Sequence, residues 1–173
     1  MPAPTRILAI SPGARLTGVV ALDAIGGLAW FETLRLRGIS APETRGKRVE
    51  DAIFHAFERT QPSVVVIEEL ARGRNTAANR AIASAAELTV MKCGLPCQEW
   101  SLASARRVVS ADRRMPRASL HRLLVEHYPQ LAPHVPSLSQ LQGGTELDQY
   151  WERSFAALTI AVAELARRQQ SAS

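Results

Sequence analysis

The stretch from Ile7 to Gly18, which reads ILAISPGARLTG, constrains the fold of this chain more than any other part of its sequence. Its first four residues, Ile7 to Ile10, are apolar and predict a buried strand. Pro12 and Gly13 come shortly after and predict a tight turn at the end of that strand. The beginning of the chain is therefore predicted to build a sheet, and Ser11 occupies the point where the strand gives way to the turn.

The rest of the chain alternates between short apolar runs, which predict strands, and longer stretches of helical character. The predicted strands are Gly18 to Asp23, Leu28 to Leu36, Ser63 to Ile67 and Gly94 to Trp100, and the predicted helices are Arg45 to Arg59, Asn75 to Met91, Ser101 to Val109, Arg117 to His127 and Tyr150 to Arg168. Gly26 and Gly27 supply a turn between the second and third strands, so an antiparallel meander is expected for the first three. The alternation as a whole predicts an α/β fold.

The chain has 173 residues, of which 46% are hydrophobic, and this is enough for one domain with a real core. We expect a single domain over residues 1–169, with an inserted loop at about residues 129–149 and a frayed tail over residues 170–173. No apolar run approaches the roughly 20 residues that span a bilayer, and the N-terminus lacks the apolar core of a signal peptide. A cytoplasmic protein without a membrane partner is therefore expected.

The charge of the chain suits a polyanionic partner, because its formal net charge is +5. Arginines concentrate in two segments, one after the predicted fourth strand and one after the fifth. The residues we expect to contact nucleic acid are Arg72, Arg74, Asn75, Arg106, Arg107, Arg113, Arg114 and Arg117. Guanidinium groups make bidentate contacts with phosphates, which give affinity without reading bases. A solvated, salt-bridged helix surface is the alternative interpretation of the same residues.

The opening turn resembles a motif of the RuvC-like Holliday-junction resolvases, a branch of the ribonuclease H superfamily. That motif reads I-x-x-I-D-P-G-x-x-x-T-G, and Pro12, Gly13, Thr17 and Gly18 match it. The run S-V-V-V-I-E that ends at Glu68 also matches a strand of these resolvases. The resemblance implies a ribonuclease H-like fold, with a five-stranded mixed sheet of three antiparallel and then two parallel strands, and helices on both faces.

In the resembled family, a cluster of carboxylates holds two metal ions about 4 Å apart. The resemblance places Glu68 at one ligand position, but it places Ser11, Arg153 and Ala156 at the other three, where aspartates are expected. A neutral hydroxyl is a poor ligand for Mg²⁺, an arginine repels a divalent cation, and an alanine offers no donor. The nuclease site is therefore predicted to be lost, with no metal or other cofactor expected and an enzymatic role not favoured.

Two other interpretations remain open at the level of sequence. Glu68, Asp148 and Glu152 could form a rearranged site, which would bind Mg²⁺ and make the chain an active junction endonuclease. The chain could also be a non-catalytic dimeric scaffold. The resemblance favours a protein of DNA recombination or repair that binds branched or four-way junction DNA as a homodimer, formed through the alanine-rich helix Asn75 to Met91. Salt-dependent binding to branched DNA would distinguish this function from the scaffold.

Overall fold

A computed structural model describes residues 5–112, 114–134 and 146–172 of the chain, and the side chains of the last range from residue 150 onward. The strands are β1 (Ile7–Ser11), β2 (Leu16–Leu22), β3 (Leu28–Arg35), β4 (Val64–Glu68) and β5 (Cys97–Trp100). The α-helices are α1 (Pro42–Thr60), α2 (Ala77–Lys92), α3 (Leu102–Val109), α4 (Arg117–His127) and α5 (Glu146–Ala172). Two short 3₁₀ helices, Arg72–Arg74 and Pro129–His134, lie between them.

The strands form one sheet in the order β3-β2-β1-β4-β5. β1 to β3 are antiparallel neighbours, whereas β4 pairs in parallel with both β1 and β5. The register sets Ser11 beside Gly18 on β2, and it sets Ile10 beside Ile67 on β4. This confirms the predicted five-stranded mixed sheet and the ribonuclease H-like fold. The carboxyl ends of β1 and β4 meet at one edge of the sheet.

Helices cover both faces of the sheet, because side chains of a strand alternate between the two faces. In β1, Ile7 and Ala9 point into a core shared with α3, α4 and α5. Leu8 and Ile10 point into a second core shared with α1 and α2. The central strand is therefore buried on both sides, as its continuous apolar sequence predicts.

Gly18 sets how closely α5 approaches the sheet. A Cβ atom added to Gly18 would lie 2.2 Å from the carbonyl oxygen of Arg153 and 2.5 Å from the backbone nitrogen of Ser154. Only a residue without a side chain allows that contact between β2 and the helix. The glycine thereby brings the backbone of Arg153 next to β2, one strand away from Ser11.

A buried carboxylate holds the distal part of α5 against β5. The side chain of Glu164 is fully buried, and it accepts hydrogen bonds from Trp100 Nε1 at 3.0 Å, Arg167 Nη2 at 2.7 Å and Arg168 Nε at 2.5 Å. Burial opposes ionisation of this group, but the hydrogen bonds from Arg167, Trp100 and Arg168 outweigh it, so the pKa of Glu164 is lowered. The anchor holds against β5 the same helix that carries Arg153.

Several elements begin or end away from their predicted positions. β2 begins at Leu16, before the predicted start at Gly18, because Leu16 and Thr17 already pair with β3. α1 begins at Pro42, because its first turn is exposed and carries no apolar period. α5 continues to Ala172, so residues 170–172 are helical where a frayed tail was predicted. Part of the predicted inserted loop is a 3₁₀ helix held by the buried Leu131, and its end belongs to α5. Residues 135–145 of that loop lie outside the described part of the chain.

In the parts of the chain that the structure describes, α-helices long enough to cross a bilayer are too polar to do so.

Candidate functional site

Glu68 is the centre of the candidate site, at the carboxyl end of β4. Its side chain is only 2% exposed. Because β1 and β4 run in parallel side by side, Ser11 ends next to Glu68, and the Ser11 hydroxyl donates a hydrogen bond to Glu68 Oε2. The carboxyl ends of central strands are where α/β proteins commonly build their sites. The structure thus brings together two of the residues that the sequence singled out.

Two arginines neutralise the Glu68 carboxylate. Arg74 Nη1 donates to Oε1 at 2.7 Å, and Arg153 Nη1 lies 3.4 Å from both Oε2 and the hydroxyl of Ser11. The Arg153 side chain is itself only 11% exposed. A buried carboxylate is tolerated when cations and hydrogen bonds satisfy it, and here both oxygens are satisfied. The positive charge next to Glu68 is supplied by the protein itself.

Arg74 is held in place by the loops around it. Its Nη2 donates to the carbonyl oxygen of Pro12 at 2.5 Å, while its own carbonyl accepts from Asn79 Nδ2 at 2.7 Å. The Asn79 side-chain oxygen accepts from the backbone nitrogen of Ala14 at 2.7 Å. Burial and the nearby charge of Arg153 lower the pKa of Arg74, and Glu68 opposes this effect. Arg74 remains a cation, because the ordinary pKa of arginine is far above neutrality.

Glu152 adds a second carboxylate on the outer side of Arg153. Its Oε1 accepts a hydrogen bond from Arg153 Nη2 at 3.0 Å and forms an ion pair with Arg117 Nη1 at 3.1 Å. The Arg153 guanidinium therefore lies between Glu68 and Glu152 and contacts both of them. The pair on the outer side is more open to solvent, with 31% of the Glu152 side chain and 57% of the Arg117 side chain exposed.

A cleft of about 390 Å³ opens above these ion pairs. It is lined by Gly13, Ala14, Arg15, Leu16, Arg74, Asn79, Arg117, Glu152 and Arg153. Because four of these residues are arginines and one is a glutamate, the lining is strongly cationic. Such a surface attracts phosphate groups and repels free divalent cations.

The described side chains do not fit the pair of metal ions used by the resembled resolvases. Mg²⁺ takes carboxylate and water oxygens in octahedral geometry, but both oxygens of Glu68 are engaged by Ser11 and the two arginines. Ala156 is buried and offers no donor. Within residues 5–112, 114–134 and 150–172, no three His, Cys, Asp or Glu side chains are grouped so that they could hold a metal ion. The side chain of Asp148 lies outside the described part of the chain.

The other residues predicted to contact nucleic acid fall into two groups. Arg72 in the first 3₁₀ helix and Asn75 directly after it are exposed, whereas Arg74 turns inward and has 26% of its side chain exposed. The second group follows β5: Arg106, Arg107 and Arg114 line a separate cavity of about 280 Å³, while Arg117 lines the cleft. Arg106 donates to the carbonyl oxygen of Met115 at 2.7 Å. Arg113 lies outside the described residues.

Three features of the site were not found from the sequence. Arg15 lines the cleft although its role in the opening turn carried no signal beyond its charge. Asn79 connects the loops after β1 and β4 through its side-chain hydrogen bonds with Ala14 and Arg74. The only local signal for this role is the position of Asn79 three residues after the helix cap Thr76. Glu152 was considered only as a metal ligand, whereas the structure pairs it with Arg153 and Arg117.

The described fold is that of the RuvC-like Holliday-junction resolvases, and solved structures of that class match the chain closely in three dimensions. RuvC from Thermus thermophilus has 16% sequence identity and a TM-score of 0.72, with 96% of this chain and 97% of that chain covered. The same organism's RuvC in complex with a Holliday junction substrate has 15% sequence identity and a TM-score of 0.73, with 96% of this chain and 96% of that chain covered. The yeast mitochondrial Holliday junction resolvase Ydc2 has 13% sequence identity and a TM-score of 0.63, with 96% of this chain and 80% of that chain covered.

No protein-family model matches the sequence, and no curated protein matches it either. The likeness therefore lies in the fold, and any function has to be argued from the site.

Proposed function

We propose that this chain binds branched DNA, with the four-way junction as its preferred form, and that it does not cleave the DNA. The observation that carries the proposal is the pairing of Glu68, at the position resembling a metal ligand, with Arg74 and Arg153. The junction-bound structure of Thermus thermophilus RuvC, which has the same fold, supports the choice of DNA class. Such binding belongs to DNA recombination or repair.

The cleft supplies the positive charge that a DNA backbone needs. Arg15 is exposed in the cleft lining, and Arg72, Arg107 and Arg114 are exposed near it or along the predicted DNA-binding segments. Arginine binds phosphodiesters through charge-assisted hydrogen bonds and needs no bridging metal ion to do so. We therefore propose that DNA binding is independent of divalent cations and that no cofactor is required.

Cleavage needs more than positive charge. In two-metal hydrolysis, one ion generates a hydroxide nucleophile and the other stabilises the leaving oxygen. Arginines can stabilise developing negative charge, but they do not activate water at neutral pH. Glu68 is not free to act as a base, because Arg74 and Arg153 pair with its two oxygens. The alternative active site of Glu68, Asp148 and Glu152 would require Arg153 to leave the space between the two glutamates.

The outer face of α2 supports a homodimer. Ala81, Ser84, Leu88 and Met91 recur at helical spacing on this face and are exposed, Leu88 by 58% and Met91 by 72%. Large apolar side chains at this exposure favour contact with a partner, and the small residues beside them allow close helix packing. We propose that a second copy of the chain covers this face; a monomeric mass in sedimentation equilibrium would contradict it.

Binding to a four-way junction in the presence of EDTA tests the proposed function. The protein is expected to bind the junction more tightly than a linear duplex or single strand of the same sequence, with affinity falling as salt rises. Arg107→Ala and Arg114→Ala should each reduce the slope of log affinity against log salt by about 1. Arg48→Ala, at an exposed position on α1, is the matched control and should leave the slope unchanged.

Each alternative result has a separate meaning. Equal binding of the three DNA forms would reject the junction preference. Absence of binding at low salt would reject DNA binding and favour the scaffold.

A further inference from the structure

Glu152 is the carboxylate in the lining of the cationic cleft, and its position is unusual for a surface glutamate. A single oxygen, Oε1, pairs with guanidinium groups of two different helices. It accepts a hydrogen bond from Arg153 of α5 at 3.0 Å and forms an ion pair with Arg117 of α4 at 3.1 Å. The remaining sides of the cleft are formed by arginines, Asn79 and the turn after β1. The acidic group thus occupies the point at which two cations converge.

An anionic oxygen between two converging guanidiniums is the arrangement that binds a backbone phosphate. A phosphodiester carries one negative charge, as a carboxylate does, so it can replace the carboxylate without changing the charge of the cleft. The two glutamates of the site differ in how easily they can be displaced. Glu68 is almost fully buried, whereas Glu152 is 31% exposed and pairs with a largely exposed Arg117, and partly exposed ion pairs contribute little to stability.

We infer that Glu152 holds the place of a DNA phosphate, and that a phosphodiester displaces its carboxylate from between Arg117 and Arg153 when DNA binds. The inference rests on the proposed function and adds the position of one bound phosphate, between Arg117 and Arg153, which we call the phosphate seat. It also identifies Glu152 as the group that competes with phosphate for this seat. Glu152 swings toward solvent when it is displaced, while Glu68 stays paired and keeps Arg74 and Arg153 in position. In the unbound protein, Glu152 thereby keeps Arg117 and Arg153 paired and closed to other anions.

Glu152→Gln tests the inference, because it removes the competing charge and keeps the size of the side chain. We expect roughly tenfold tighter binding of four-way junction DNA than for the wild type. Glu58→Gln, which removes the same charge from an exposed position on α1, should leave the affinity within twofold of the wild type. Circular dichroism of each variant checks that the fold is retained.

A double variant separates competition at the seat from a general gain in positive charge. In an Arg117→Ala background, Glu152→Gln should give less than a third of its gain in the wild-type background, because one wall of the seat is missing. An equal gain in both backgrounds would overturn the inference, and so would equal affinities of Glu152→Gln and Glu58→Gln.

Titration with inorganic phosphate, monitored by NMR of the arginine Nε–H signals, tests without DNA whether phosphate competes with the Glu152 carboxylate. Tighter phosphate binding by Glu152→Gln than by the wild type and Glu58→Gln supports the seat, and equal binding overturns it. If no variant binds DNA while phosphate binding is tighter in Glu152→Gln, the phosphate seat between Arg117 and Arg153 stands, whereas the proposed function and the assignment of that seat to DNA fail.

Discussion

Replacing Glu68 with glutamine is expected to destabilise the folded protein by about 3 kcal/mol in metal-free buffer. The carboxylate is 2% exposed and lies between Arg74 and Arg153, so its removal leaves one buried and one partly buried cation without their shared counter-ion. Urea unfolding in the presence of EDTA gives the change in the free energy of unfolding. Glu69→Gln, one residue further along and exposed, is the matched control and should change it by less than about 0.5 kcal/mol.

The sign of this change distinguishes an ion-pair site from a metal site. A cluster of carboxylates without its metal ion repels itself, so neutralising one member of a metal site relieves strain in the metal-free protein. In this protein, Glu68→Gln instead removes the attraction between the carboxylate and the two arginines. Arg153→Met should restore part of the stability when it is added to Glu68→Gln, because it removes one of the two cations that have lost their shared counter-ion. A Glu68→Gln variant as stable as the wild type, or more stable, would contradict the ion-pair account.

Gly18→Ala is expected to destabilise the protein by about 3 kcal/mol or more. The added Cβ would lie within 2.5 Å of three backbone atoms of α5, namely the carbonyl carbon and oxygen of Arg153 and the nitrogen of Ser154. Backbone atoms in the middle of a packed helix cannot move aside as a flexible side chain can. The helix must shift away from β2, and Arg153 loses its place beside Ser11 and Glu68. Urea unfolding and the affinity for four-way junction DNA should both register the change.

Gly46→Ala is the control for this substitution, with an effect of opposite sign. Gly46 lies inside α1, where an added Cβ meets nothing closer than 3.8 Å. Alanine should stabilise the helix there by about 0.5–1 kcal/mol. A loss smaller than about 1 kcal/mol in Gly18→Ala would show that α5 does not depend on this close approach.

The sheet could be predicted well because its signals are local. Apolar runs such as Ile7 to Ile10 and Val64 to Ile67 have no polar residue to place on a solvent face, so they predict buried strands. The order of the strands, by contrast, came from the resemblance. The need for Gly18 could be seen only as a motif match, since the helix backbone that excludes a side chain there is more than 130 residues away.

The candidate site could be predicted in position but not in its chemistry. The resemblance led to Ser11, Glu68 and Arg153, and the structure places these three in contact. The sequence suggested only that Arg153 would repel a metal ion. Its pairing with Glu68 joins residues 85 positions apart, and no local pattern reports such a contact. Arg74 lies only six residues from Glu68, yet its inward direction depends on the fold of the loop between them.

Incubation of the wild-type protein with four-way junction DNA in Mg²⁺ or Mn²⁺ shows whether the protein binds the junction without cleaving it. Product formation is followed on denaturing gels at protein concentrations that shift all of the DNA on native gels. We expect a complete shift in EDTA, Mg²⁺ or Mn²⁺ alike, with no cleavage above a protein-free control. Metal-dependent cleavage by the wild type that is lost in both Glu68→Gln and Glu152→Gln would contradict this expectation, because those glutamates would then act as metal ligands rather than as partners of Arg153.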